Sequence, residues 1–117
     1  MNIQKLTEAG VNYNSGIERF MGNVELYETV LKAFLSDKEF LNATEAYEKH
    51  DFDAMFRALH TLKGIAGSLS IDNLFVQTSK VVAILRKQAE GDLESEFSLV
   101  KKLYNIAFTN IQSALKE

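Results

Sequence analysis

Four residues carry the chemistry this sequence offers: His60, Lys63, Gly64 and Gly67, within the run HTLKGIAGSL at residues 60–69. On a helix, steps of three and four return to one side, so these four share a face. Imidazole has a reference pKa of about 6.5, so its neutral, nucleophilic form is plentiful at pH 7. A lysine one turn on places a cation where an arriving anion would sit. Each glycine costs a helix interior about 1 kcal/mol relative to alanine, so propensity alone does not put two of them here. The pattern points to a reactive imidazole that something large must approach.

The element that positions these residues is a helix over residues 53–69, with Asp51 or Asp53 as its cap. Met55, Leu59, Leu62, Ala66 and Leu69 fall on one apolar stripe, the side a helix buries in a bundle. The His60 group lies roughly opposite, toward solvent or a partner. Phe56, one turn before His60, falls near the same face. With Arg57 beside it, it is a candidate contact for a docking protein.

Around this helix the pattern is helical throughout. A short helix spans residues 2–9 and stops at Gly10. A second, capped by Asn14 or Ser15, runs through Phe20 and stops at Gly22. Asn23 caps a longer one to about Leu35, with Tyr27, Leu31 and Phe34 at core spacing. Ser36 or Asp37 starts the next, which runs to about Lys49. Beyond residue 70, the spacing predicts a helix over 72–89 with Leu74, Thr78, Val81 and Leu85 on one stripe. Gly91 would then stop the chain, and a last helix capped by Asp92 carries Phe97, Val100, Tyr104, Ala107 and Ile111. No stretch alternates like a strand. The expected fold is all-α: an antiparallel up-down four-helix bundle with one or two short N-terminal helices, a single domain over residues 1–117.

Composition narrows the function. The chain has 117 residues, no cysteine and no proline, and a formal net charge of -3. Thiolate metal sites and cysteine nucleophiles are excluded. The charge gives no footprint for nucleic acid. Neither a signal peptide nor a membrane span is evident, so a cytoplasmic location is expected. Two histidines without Glu-x-x-His spacing argue against a metal hydrolase in a bundle. His50 falls at a helix end, where partial positive charge suits the helix dipole.

The His60–Leu69 motif resembles the signature of histidine-containing phosphotransfer (HPt) domains, which relay phosphoryl groups between receiver-domain aspartates. The segment 16–23 is similar to the lead-in of that family, and Leu26, Tyr27, Val30, Leu31 and Phe34 to its first bundle helix. The resemblance implies His60 as phosphoacceptor, Lys63 as charge partner, and Gly64 and Gly67 as clearance for the approaching receiver. It also implies receiver domains and a hybrid sensor histidine kinase as partners, and a monomeric carrier with no cofactor of its own. A divalent metal, Mg in the usual case, would belong to the receiver. No ATP-dependent kinase activity is expected, and the chain has no Gly-rich phosphate loop. Family members usually carry glycine where this chain has Ser70. They often carry a glutamine that hydrogen-bonds the acceptor ring, at the position matched here by Val82, with Gln77 and Ser79 nearby. The alternative reading is a helical adaptor that binds receiver-like partners through the His60 face without being phosphorylated.

Overall fold

A computed structural model describes residues 1–116. Among them are seven helices: α1 (Ile3–Glu8), α2 (Tyr13–Arg19), α3 (Val24–Phe34), α4 (Glu39–Glu48), α5 (Phe52–Ser68), α6 (Asp72–Leu85) and α7 (Leu93–Lys116). No strand occurs among the described residues; one isolated antiparallel bridge joins Val11 to Ile71.

The bundle is antiparallel. α4 packs on α5, α5 on α6, and α6 on α7. The ring closes through aromatic contacts between α4 and α7: Phe40 stacks on Tyr104 with centroids 4.4 Å apart, and Tyr47 meets Phe97 at 5.3 Å. Phe34 of α3 reaches the same Tyr104 at 5.5 Å. Thus α3 and α4 fill one corner in series, both running against α7, and four positions of the bundle are occupied by five helices. Along α5 the buried residues are Met55, Ala58, Leu59, Leu62 and Ala66, the expected stripe with Ala58 added.

Asparagine or aspartate caps start α1, α2, α3 and α5, whereas α4 and α6 follow Lys38, not Ser36 or Asp37, and Ile71 with no side-chain cap. Asn23 accepts from the Leu26 amide and Asp51 from the Ala54 amide, which settles the start of α5 at Phe52. Asn12, rather than Asn14 or Ser15, caps α2, because its carboxamide reaches the Ser15 amide.

Five helix ends fall within one residue of expectation, and that of α6 does not. After α1, α2, α4, α5 and α6 the chain enters the left-handed region at Gly10, Met21, His50, Ser70 and Lys87. In each case the next amide donates back across the final turn, as Ile71 does to the Ala66 carbonyl at 2.9 Å and Gln88 to the Ala83 carbonyl at 2.9 Å. This is the hydrogen-bonded stop that usually recruits glycine. Here four of the five residues are not glycine. Consequently α6 ends at Leu85, turned by Lys87, and does not run on to Gly91.

The α5–α6 corner is tied down from the N-terminal side. Residues 10–12 lie against 70–72 through the Asn12 amide to the Ser70 carbonyl and the Asp72 amide to the Gly10 carbonyl. Ser70 is buried at φ +58°, and its hydroxyl accepts from Arg19 Nε and donates to Ser15 Oγ, both at 3.1 Å. The Tyr27 hydroxyl donates to the Leu69 carbonyl at 2.7 Å. Burial, with smaller contributions from neighbouring Tyr13 and Asp72, pushes the Tyr27 phenol well above the usual tyrosine range.

Candidate functional site

His60 lies mid-way along α5 with its side chain exposed. Among the described residues its imidazole meets no hydrogen-bond partner. What touches it is Phe56, one turn back, with ring centroids 5.7 Å apart and planes tilted by 42°. Phe56 is half-buried against the core, and its ring is covered by Arg86 of α6, whose Cζ sits 4.6 Å from the ring centroid. Phe56 is therefore a packed member of a His60–Phe56–Arg86 array.

Lys63 is half-buried one turn after His60, and no carboxylate among the described residues lies within ion-pair distance of it. Arg57 is exposed on the same helix and likewise unpaired among the described residues. Together with Arg86 these make the face around His60 basic on a chain of net charge -3.

The two glycines separate. A Cβ placed on Gly64 would meet nothing within 4 Å, so the backbone there is open to an approaching molecule. A Cβ on Gly67 would come within 3.0 Å of Phe75 Cδ1 and Cε1. The clearance expected at Gly67 is thus already filled, by the ring of the neighbouring helix. Its missing side chain lets α6 lay Phe75 across α5.

The register of the hairpin explains these pairings. α5 and α6 turn about Ile71, so residues equally distant from it are level. Gly67 meets Phe75, each four residues away, and Phe56 meets Arg86, each fifteen away. His60 and Val82 are both eleven away. Val82 is level with His60 yet only 3% exposed, and its side chain has no donor. Gln77 spends its amide on the Glu96 backbone carbonyl and on Glu96 Oε1, both at 3.0 Å. Lys80, 2.8 Å from that carboxylate, and then Gln77 hold Glu96 below the usual carboxylate range. Ser79 donates to the Phe75 carbonyl at 2.6 Å. None of the three hydrogen-bonds the His60 ring. In the sequence Phe75 only flanks the apolar stripe of α6 and Arg86 carries no signal of its own; counting outward from residue 71 pairs each with its neighbour on α5.

Among the described residues, no three His, Asp or Glu side chains converge where a metal ion could be held. No helix among them is long and apolar enough to cross a membrane. A family model described as the Hpt domain matches residues 25–114. A search of curated proteins and a search of solved structures returned no match.

The match covers well over half of the chain and takes in all but the outermost residues of the bundle from α3 to α7, so the chain belongs to the Hpt domain family. Membership implies histidine phosphotransfer in two-component systems, in which these domains interact with receiver domains and kinases. The matched stretch begins in α3, so segment 16–23, with α1 and α2, lies outside it.

Proposed function

We infer that His60 accepts a phosphoryl group from the aspartyl phosphate of one receiver domain and passes it to another, as an intermediate in a multi-step phosphorelay. The observation that carries this reading is an exposed imidazole one turn from Gly64, above which a Cβ would meet nothing. In the forward step a lone-pair nitrogen of neutral His60 attacks phosphorus. The P–O bond to the receiver carboxyl breaks, and its electron pair leaves with the carboxylate. The proton on the other ring nitrogen stays on the ring or goes to water. The return step reverses this on a second receiver.

Each neighbour has a physical task in that exchange. Lys63 offsets the arriving charge, about -1.5 to -2 by analogy with other phosphorylated side chains. Gly64 leaves room for the receiver's active-site loops. Arg57 and the exposed edge of Phe56 contact the receiver. The receiver supplies the divalent metal, and this chain supplies geometry and charge, which carry most of the catalysis in phosphoryl transfer. The protein is read as a monomeric, single-domain phosphocarrier of the cytoplasm, where receivers and the catalytic portions of hybrid kinases reside.

Incubation with a phosphorylated receiver tests the reading, with wild type and His60→Gln in parallel. The expected result is acid-labile, base-stable label on wild type alone. His60 is exposed, so the variant should keep the stability of the fold to within about 0.5 kcal/mol. Stable receiver binding by both proteins with label on neither would replace the carrier by the adaptor.

A further inference from the structure

We propose that Phe56, braced by Arg86, is the positioning residue that orients the His60 imidazole in this chain. The proposal rests on His60 being the acceptor. Its ground is an elimination together with a contact. The residue level with His60 on α6 is Val82, which is buried and offers no hydrogen bond. The candidate polar side chains of α6 are engaged elsewhere: Gln77 on Glu96, and Ser79 on the backbone of Phe75. Among the described residues, the one ring within reach of the imidazole is Phe56, at 5.7 Å and 42°.

An aromatic pair at this separation is attractive and restricts both side chains. His60 is exposed, so without such a neighbour its ring would sample several rotamers. Phe56 is itself held from two sides. Its inner edge packs on the core, and the Arg86 guanidinium lies over its face at 4.6 Å. A cation in that position favours the ring staying where it is. The brace thus runs from α6 through Phe56 to the acceptor, by packing and not by an amide.

The two devices differ in what they fix. A hydrogen bond to one ring nitrogen selects both the plane of the imidazole and its tautomer. A phenyl ring selects the plane alone. His60 should therefore be held in orientation while its two neutral tautomers keep the ratio of an unconstrained histidine side chain, in which Nε2–H predominates.

A small phosphoryl donor separates positioning from receiver docking. Phosphoramidate transfers its phosphoryl group to imidazole with loss of ammonia as the P–N bond breaks, and it needs no protein surface. The experiment compares labelling of the full chain by phosphoramidate in wild type, Phe56→Leu, Phe56→Tyr and Arg86→Gln, with circular dichroism melting as the check on folding. Phe56→Leu should slow labelling roughly tenfold, the order expected for a loosened reacting group. Phe56→Tyr should restore the wild-type rate, and Arg86→Gln should fall between. Nitrogen-15 shifts of the neutral wild-type His60 ring should be the average given by an unconstrained histidine, not those of one fixed tautomer, and the His60 ring-proton shifts should move in Phe56→Leu as the ring current is lost.

Labelling of Phe56→Leu at the wild-type rate would overturn the proposal and leave Phe56 as a receiver contact only. An Arg86→Gln variant that matches wild type would remove the brace, and with it the proposal as stated. If Phe56→Leu melts early, Arg86→Gln, altered at an exposed position, still decides. Wild type that takes no label from either phosphoramidate or a phosphorylated receiver would sink the acceptor reading itself.

Discussion

Gly64 and Gly67 stand three residues apart on α5 and do opposite things. Over Gly64 there is open space; over Gly67 lies Phe75. The cause is the opposite helix. Level with Gly67, α6 presents a phenylalanine, while level with Gly64 it presents Thr78, which is fully buried and turned to the core. The contrast extends along the helix. Around His60 and Gly64 α5 is bare. From Gly67 onward it is bolted down by Phe75, Tyr27, Arg19 and Ser15. A missing side chain can serve a partner still to come or a neighbour already present. Only the register of the second helix separates the two.

Gly64→Ala should produce the largest effect and the sharpest split. Transfer from a phosphorylated receiver should fall about tenfold or more, because a methyl group intrudes where reacting groups must align within an ångström. Thermal stability should rise, by up to about 1 kcal/mol, since the helix gains alanine and the methyl meets nothing. A stability loss instead would mean that the face is not open.

At the bolted end the next effect is on pH. Burial raises the Tyr27 phenol, so the folded chain holds its proton more tightly than the unfolded one does. The associated stability is fully present below the ordinary tyrosine range, near pH 10, and is lost as pH rises beyond it toward the higher folded value. Melting curves of wild type should therefore drop steeply above about pH 10, and those of Tyr27→Phe less so. At neutral pH, Tyr27→Phe should cost about 1–2 kcal/mol through the bond lost to the Leu69 carbonyl.

Gly67→Ala should be smaller again. Its methyl would sit 3.0 Å from the Phe75 ring. Because that ring is 37% exposed and can shift outward, the variant should be about 1 kcal/mol less stable than Gly64→Ala rather than unfolded. Adding Phe75→Ala should erase most of the difference between the two glycine variants in paired denaturant titrations.

Ser70→Gly should change stability least, within about 0.5 kcal/mol. Relief of a left-handed serine, about 1 kcal/mol, is offset by loss of the hydrogen bonds to Arg19 and Ser15. Hydrogen exchange should nonetheless quicken in α2, which those bonds hold to the end of α5.

Most of this architecture was legible because it follows from period and caps. The stripe from Met55 to Leu69 had to be buried, and that alone turned His60 outward. Asp51 and Asn23 start their helices as side-chain acceptors should. The helix ends were harder. Glycine is the visible sign of a left-handed stop, and Gly10 was read correctly by it. Gly22 marks the turn that Met21 begins, and His50 falls at an expected helix end, but Lys87 makes the same turn with no compositional sign, so the spacing carries α6 past its real end. The series arrangement of α3 and α4 was also hidden, since each is amphipathic in its own right and only Tyr104 reveals that they share a corner. Within the candidate site, His60, Lys63 and Gly64 are local to one helix, so their shared face is legible from spacing alone. The roles of Phe75 and Arg86 depend on inter-helix register, which a single periodic pattern does not contain.

The non-glycine corners carry a practical consequence for anyone who engineers this scaffold. Met21, His50 and Lys87 each adopt a backbone shape that costs an ordinary residue about 1 kcal/mol and costs glycine almost nothing. All three are exposed, and none is among the residues that contact His60 or Phe56. The molecule thus holds an unused stability reserve at its hairpin corners. It can be drawn on to offset costly changes at the signalling face, so that partner choice can be redesigned without the bundle giving way.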